Sequence, residues 1–332
     1  MLTLPTATAV TARLLPNGLP LLREEFLQRS GMFGSALDPD ATPGDPGLFG
    51  PDSPSWRLTG QPASPLVGLR AALLQTLSIP VPTAVHETGT FERDFLGRVA
   101  RTGIYIQHQN LGSMDEVYRS ARHVRAMHRT VKGTGKHEVA YDATDHHQQA
   151  WVSMTFTDSM LRIAEHYGPG RLSRADADRL VREQSTHAAL LDHRVDLKAV
   201  FEDPEQRAAL QAGELPLPSI EEGELPTTVA ELRSLMTKWQ ASLGVNHLTR
   251  ELLDITVELR EAPKRIRDAF RPFMLATLWT MPRPLHDLVA PNSSRLEELA
   301  ASQLIQGPLA LLHAVVGHSP AIDVARARVA AA

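Results

Sequence analysis

The chain contains no cysteine. Disulfides, zinc–thiolate sites, iron–sulfur clusters and thiolate-ligated haem are therefore excluded, and any transition metal must be held by nitrogen or oxygen donors. Basic charge is not in excess either. Lys+Arg number 34 against 38 Asp+Glu, for a net charge of -4 and a pI near 6.4, so there is no electrostatic case for nucleic acid as a partner. The opening stretch MLTLPTATAVTARLLPNGLPLL has no basic n-region and no long apolar h-region, and so does not read as a secretory leader. No uninterrupted apolar run reaches the ~18 residues of a membrane span. The expectation is a cytoplasmic protein without an integral membrane segment. Strict apolar–polar alternation is scarce too, which argues against a substantial sheet.

What is present is ordinary globular composition, 42% hydrophobic and 22% charged over 332 residues, with 14 histidines as potential nitrogen ligands. A large core is available to such a chain. Residues Leu21–Gln28 read as a short helix, and GSALDPDATPGDPGLFGPDSPSW, from Gly34 to Trp56, reads as irregular chain that wraps the surface or serves function. From Ser64 the pattern turns helical: SPLVGLRAALLQTL offers a Ser cap and a Pro in the first turn. Apolar spacing then predicts helices over Phe91–Asn110, Ser113–Val131, Asp145–Tyr167, Ser173–Leu191, Thr228–Leu243, Leu248–Arg260, Lys264–Trp279 and Ser293–His313. KGTGK, YGPG, LPLPSIEEGELP and MPRP supply the breaks, and Gly213–Pro226 is the best candidate for an internal boundary. The fold class is all-α: an N-terminal helix and wrapping segment over residues 1–62, and a helical domain over 63–332, forming one compact unit.

Two helices carry residues that do not belong on an apolar face. In VRAMHRTVKG, a helical winding puts His128 on the stripe of Val117, Ala121, Val124 and Val131, with Arg125 at its border. An imidazole there needs partners for its nitrogens; the bland reading is a core histidine bonded to a backbone carbonyl. In FERDFLGRVARTGIYIQH, Phe91, Phe95, Arg98, Thr102 and Tyr105 share a face, and Arg101 stands one turn beyond Arg98. A buried arginine is costly unless it meets an anion. The bland reading is an ion pair with a core glutamate such as Glu183. Taken together, the two helices suggest a haem site: a neutral imidazole on an apolar wall for the iron, and clustered arginines for two propionate carboxylates. Lys132, one turn after His128, fits the same use. Glu183 and His187, one turn apart, are spaced for a divalent metal or a simple hydrogen bond. His193 and the remaining histidines lie near helix ends or in loops.

The ordered set GMFG, SPSWRLTG, GLRAALLQ, FERDFLGRVARTGIYI, VRAMHRTVKG, YDATDHHQQAWVSMTF and GRLSRADADRLVRE resembles the haem-dependent oxygenase family of the latex-clearing rubber oxygenases and the mycophenolic-acid pathway oxygenase. The resemblance spans roughly Gly31 to Leu191 and weakens afterwards. It implies an all-α fold, non-covalent haem b, and attack by dioxygen on lipophilic substrates. By position it makes His128 the axial ligand of the haem iron, matches Arg98 and Thr102 to the haem-pocket motif, and gives Lys132 the place of a second basic pocket residue.

Two departures follow. Arg101 stands where rubber oxygenases have a lysine that can occupy the iron, and arginine is too basic to be a neutral ligand, which argues against polyisoprene cleavage. Ser153 stands where many members carry a histidine, with His146 and His147 one to two turns earlier. The expectation is a haem b oxygenase or oxidase of a small lipophilic metabolite, using dioxygen or peroxide. His128, Arg98, Arg125 and Lys132 would bind the cofactor, and Arg101 and Thr102 would act in catalysis. An Ala- and Arg-rich, Lys-poor composition suits a bacterial specialised pathway. Two alternatives stay open: a haem- or ligand-binding protein without turnover, and a non-haem metal enzyme built on His146, His147, Glu183 and His187.

Overall fold

The computed structural model describes residues 7–14, 19, 22–25, 27, 34–135, 138–168, 170–258 and 263–331, of which 8–9, 12–13, 90–96 and 99 by their backbone alone. The architecture is all-α, as the patterning predicts, with one small two-stranded ribbon. After α1 (Ala7–Leu14), residues 34–53 run without a helix and lead into α2 (Pro54–Thr59). Of the predicted Leu21–Gln28 helix, residues 22–25 are helical, while 21, 26 and 28 lie outside the described residues. Then come α3 (Ser64–Gln75), α4 (Pro80–Thr88), α5 (Thr90–Leu111) and α6 (Met114–His128).

Strands β1 (Lys132–Thr134) and β2 (Ala140–Asp142) follow, pairing antiparallel with Lys132 opposite Asp142. KGTGK therefore does more than turn the chain. Three-residue, exposed strands have too little alternation to be legible in sequence; Lys136 lies outside the described residues. Past the ribbon lie α7 (His146–Tyr167), α8 (Arg174–Ala189), α9 (Leu197–Glu202), α10 (Pro204–Ala212), α11 (Pro218–Glu221), α12 (Val229–Trp239), α13 (His247–Glu258), α14 (Lys264–Trp279), α15 (Arg283–Val289), α16 (Arg295–Leu304), α17 (Gln306–Val316) and α18 (Pro320–Ala330).

Local chemistry sets the starts of the helices that matter most. Ser113 opens α6 with a capping box: its hydroxyl takes the Glu116 N–H, and the Glu116 carboxylate returns to the Ser113 N–H at 2.8 Å. Asp145 caps α7 by accepting the Gln148 N–H at 3.0 Å. Ser173 caps α8 in the same manner. Leu73 and Leu74 of α3 pack with Trp151 and Met154 of α7 in one core cluster, which Leu232, Leu253 and Leu278 extend. A second cluster joins Met114, Val117 and Ala121 of α6 to Ala188, Leu217 and Leu225. Gly213–Pro226, the boundary candidate, thus contributes side chains to the same core as α6.

The irregular N-terminal segment is tied down by polar contacts. Asp45 is buried, and its carboxylate accepts the Met114 N–H at 2.8 Å, at the start of α6. Arg328 of α18, also buried, donates to Asp45 O and Leu111 O, each at 2.7 Å. Gly47 has φ +69°, and a Cβ there would collide with the Gly112 carbonyl, so only glycine fits. The predicted Ser293–His313 helix is broken at Ile305 into α16 and α17. With α18 these form a stretch, Arg295–Ala330, that is long and apolar enough to cross a membrane by length and composition. It is divided again at Gly317, and α16 packs against α14.

Candidate functional site

His128 is the last residue of α6, a helix whose buried side carries Met114, Val117, Ala121 and Arg125. The buried face therefore swings towards Arg125, which the pattern put at its border, and leaves Val124 and His128 half-buried. Val131 lies past the helix end. Neither ring nitrogen of His128 has a hydrogen-bond partner among the described residues, and Nδ1 is fully shielded from solvent. The backbone-carbonyl bond of the bland reading is absent. Burial, then the nearby His193 and Arg98, push the imidazole pKa down from 6.5 to about 4. The ring is thus unprotonated at neutral pH with its lone pair unspent.

Helix α5 supplies the facing polar groups. Arg98 is half-buried, and burial, with the like charge of Arg101, lowers its pKa. Arg101 and Thr102 are exposed, and the Thr102 hydroxyl donates to Arg98 O at 3.0 Å within its own helix. The proton that Thr102 would offer to a bound ligand is therefore engaged. The side chains of Phe91 and Phe95 lie outside the described residues. Two turns along from Arg98, Tyr105 turns inward. Its hydroxyl is buried and unpartnered among the described residues, and burial raises its pKa. Its ring meets the His187 ring edge-on, with centroids 6.3 Å apart.

The other predicted binding residues divide. Arg125 is buried and donates to Val195 O at 2.9 Å, which anchors α6 to the loop before α9. Its charge helps depress His193, after burial itself. Lys132 is exposed on the ribbon, in register with Asp142. His128, Arg98 and His193 are thus brought within electrostatic reach of one another, Arg125 stands behind His193, and Lys132 lies on the adjoining ribbon.

Glu183 and His187 do not pair with each other. The Glu183 carboxylate accepts the Ser55 N–H at 3.1 Å and meets Arg179 at 2.8 Å, so neither its predicted ion pair nor its metal role is supported by its contacts. His187 Nε2 lies 2.9 Å from Gln184 Oε1, and Gln184 donates onward to Ser55 and Asn110. His187 Nδ1 is a further buried nitrogen without a hydrogen-bond partner among the described residues, and burial pushes this histidine down to about 4 as well. His146 and His147 converge instead on Glu224. Ser153 is half-buried on α7.

Sequence reasoning placed Tyr105 on the Arg98 face and set His187 beside Glu183, but gave neither a part beside His128, and it passed over His193. Tyr105 was legible as a member of the Arg98 face. His187 signalled only its spacing from Glu183 and His193 only its residue type, since the packing of α8 and its following loop is what brings them here. The arrangement offers a neutral imidazole without a partner, cationic neighbours and a buried phenol. It can ligate a metal centre and receive carboxylates beside it. The family model described as "ER-bound oxygenase mpaB/B'/Rubber oxygenase, catalytic domain" matches residues 56–314. No curated protein and no solved structure matches the chain.

Proposed function

Because the chain belongs to the family of the ER-bound oxygenase mpaB and rubber oxygenase catalytic domains, we propose that it is a haem b-dependent oxygenase of a small lipophilic metabolite, with His128 as the axial iron ligand. The observation that carries this is the His128 imidazole itself: shielded Nδ1, no hydrogen-bond partner among the described residues, and a pKa near 4. A buried polar group without a partner costs about 1–3 kcal/mol. A ligand that used its lone pair would recover that cost, and a neutral imidazole is the commonest metal ligand.

Bound haem would supply the redox chemistry that activates dioxygen or peroxide. The chain's own groups would do the rest. His128 would hold the iron, and its ring is unprotonated in the neutral range. Arg98, with Arg101 one turn on, places positive charge beside it and would receive propionate carboxylates through charge-assisted hydrogen bonds. Tyr105 keeps its proton, because burial opposes its ionisation, and serves as a hydrogen-bond donor inside the site. Positioned donors of this kind are worth ~3–4 kcal/mol where negative charge develops. Ile104 and Met127, large apolar residues next to Tyr105 and His128 in the chain, stand exposed and suit a flat apolar macrocycle or a lipophilic substrate. Arg125 and Lys132 extend the basic surround, and the exposed Arg101–Thr102 turn forms its outer rim. The proposed setting is a cytoplasmic, bacterial specialised pathway.

The test is the absorption spectrum of protein expressed with a haem precursor, before and after dithionite, followed by oxygen uptake with lipophilic substrates. A Soret band that shifts on reduction is expected. Protein that is colourless and also fails to bind added hemin would overturn the haem assignment. Haem without oxygen uptake would leave a carrier, not an oxygenase.

A further inference from the structure

We propose that His146, His147 and Glu224 form a binding site for a borderline divalent cation such as Zn²⁺, separate from the His128 site and with Glu224 as the carboxylate ligand. The two histidines occupy the first turn of α7, directly after the Asp145 cap. Their rings lie 4.5 Å apart and tilted by 34°, so both present nitrogens to the same side. His146 Nε2 is 3.1 Å and His147 Nδ1 3.4 Å from a single oxygen, Glu224 Oε1. The three donor atoms lie within 4.8 Å of one another.

The two nitrogen–oxygen spacings are close to those of ligands around one ion. Metal–nitrogen and metal–oxygen bonds of about 2.1 Å in a tetrahedral zinc site put neighbouring donors about 3.4 Å apart. The competing account is a plain ion pair, in which both imidazoles share the one oxygen at 3.1 and 3.4 Å. The second carboxylate oxygen is also unsatisfied: Glu224 Oε2 is shielded from solvent and has no hydrogen-bond partner among the described residues. Arg194 approaches it only to 3.7 Å, while bonding Asp192 and Glu222 at 2.8 and 2.7 Å. A cation between the imidazoles and Glu224 would compensate the half-buried carboxylate. Two imidazole nitrogens and one carboxylate make the donor set of several zinc sites, with a fourth position left for water.

The ion would join two parts of the fold that are distant in sequence. Glu224 follows α11 in a tight turn, with its N–H bonded to Ser219 O at 2.9 Å, and the turn's neighbour Leu225 is in the core cluster of α6. His146 begins the helix that follows the ribbon leading out of His128. The cation would therefore clamp the 213–226 segment to the start of α7.

The experiment is equilibrium dialysis of tag-free, full-length protein against micromolar ZnCl₂. Metal is counted by elemental analysis, and the same is done for His147→Ala and Glu224→Gln. His147 has a side chain 62% exposed, so its truncation leaves packing intact, and circular dichroism checks both variants. One zinc per chain is expected in the parent. Each variant should bind more than about 100-fold more weakly, since even outer-shell changes cost 10–100-fold. The iron content and any Soret band should not change, which separates this site from His128. Absence of zinc from the parent, or binding weakened less than tenfold in either variant, would overturn the proposal.

Discussion

Replacing His128 by leucine should make the haem-free protein more stable while abolishing haem retention. The imidazole leaves Nδ1 buried without a partner, a defect of about 1–3 kcal/mol that an apolar side chain of similar size removes. That gain applies near pH 7.5, where the ring is neutral in both folded and unfolded chains. Acid widens it. The folded pKa is about 4 against 6.5 unperturbed, so protons bind the unfolded chain first, and parent stability falls as pH drops from 6.5 towards 4. At about pH 5 the unfolded imidazole has been favoured by roughly 1.5 units, or ~2 kcal/mol at 1.36 kcal/mol per unit. The leucine variant escapes this loss. Its advantage should therefore be about 1–3 kcal/mol near neutrality and roughly 3–5 kcal/mol near pH 5. Urea unfolding of the haem-free proteins, followed by circular dichroism at both values, reads the difference, and hemin titration reads binding. A variant that is less stable than the parent by 1 kcal/mol or more, or that keeps the parent's hemin affinity, would refute the reasoning. The first result would give the ring a structural job that its surroundings do not reveal, and the second would remove it as the iron ligand.

Arg98→Ala should weaken hemin binding about 10- to 150-fold without abolishing it, because one charge-assisted hydrogen bond contributes ~1.5–3 kcal/mol; hemin titration checks this. Tyr105→Phe should stabilise the haem-free protein by about 1–3 kcal/mol, since its hydroxyl is buried and unpartnered, and should slow oxygen uptake, measured with an oxygen electrode. Asp158→Asn should cost about 3–5 kcal/mol, seen as a lowered melting temperature. It strips the fully buried Arg70 guanidinium of its ion pair at 2.8 Å and leaves only neutral partners, Ser159 and Thr280. His187, buried and held near 4, should add to the acid sensitivity. Its folded pKa lies below its unfolded one, so stability present above about pH 6.5 is lost between there and pH 4, and His187→Gln should flatten that part of a urea-midpoint profile.

The helices, the absence of thiolate chemistry and the anomaly at His128 were fixed by local chemistry. Apolar residues at helical spacing must bury one face, Ser113, Asp145 and Ser173 cap whatever follows them, and a histidine on a valine stripe is visible without coordinates. The same periodicity exposed Arg98 and Tyr105 as companions on α5. Tertiary structure alone decided the rest, because side-chain partners come from elements distant in sequence. Glu183, spaced to suit either Arg98 or His187, was taken by Ser55 and Arg179. Arg125, a border residue on its helix, was drawn inside by Val195 O, 70 positions away. Thr102 kept its hydroxyl for its own helix, and His146 and His147 found a carboxylate in a turn that no spacing rule connects to them. Sequence determines which face of a helix must be covered. Which polar group then finds a partner, and which is left waiting for a ligand, depends on what packing carries within about 3 Å of it.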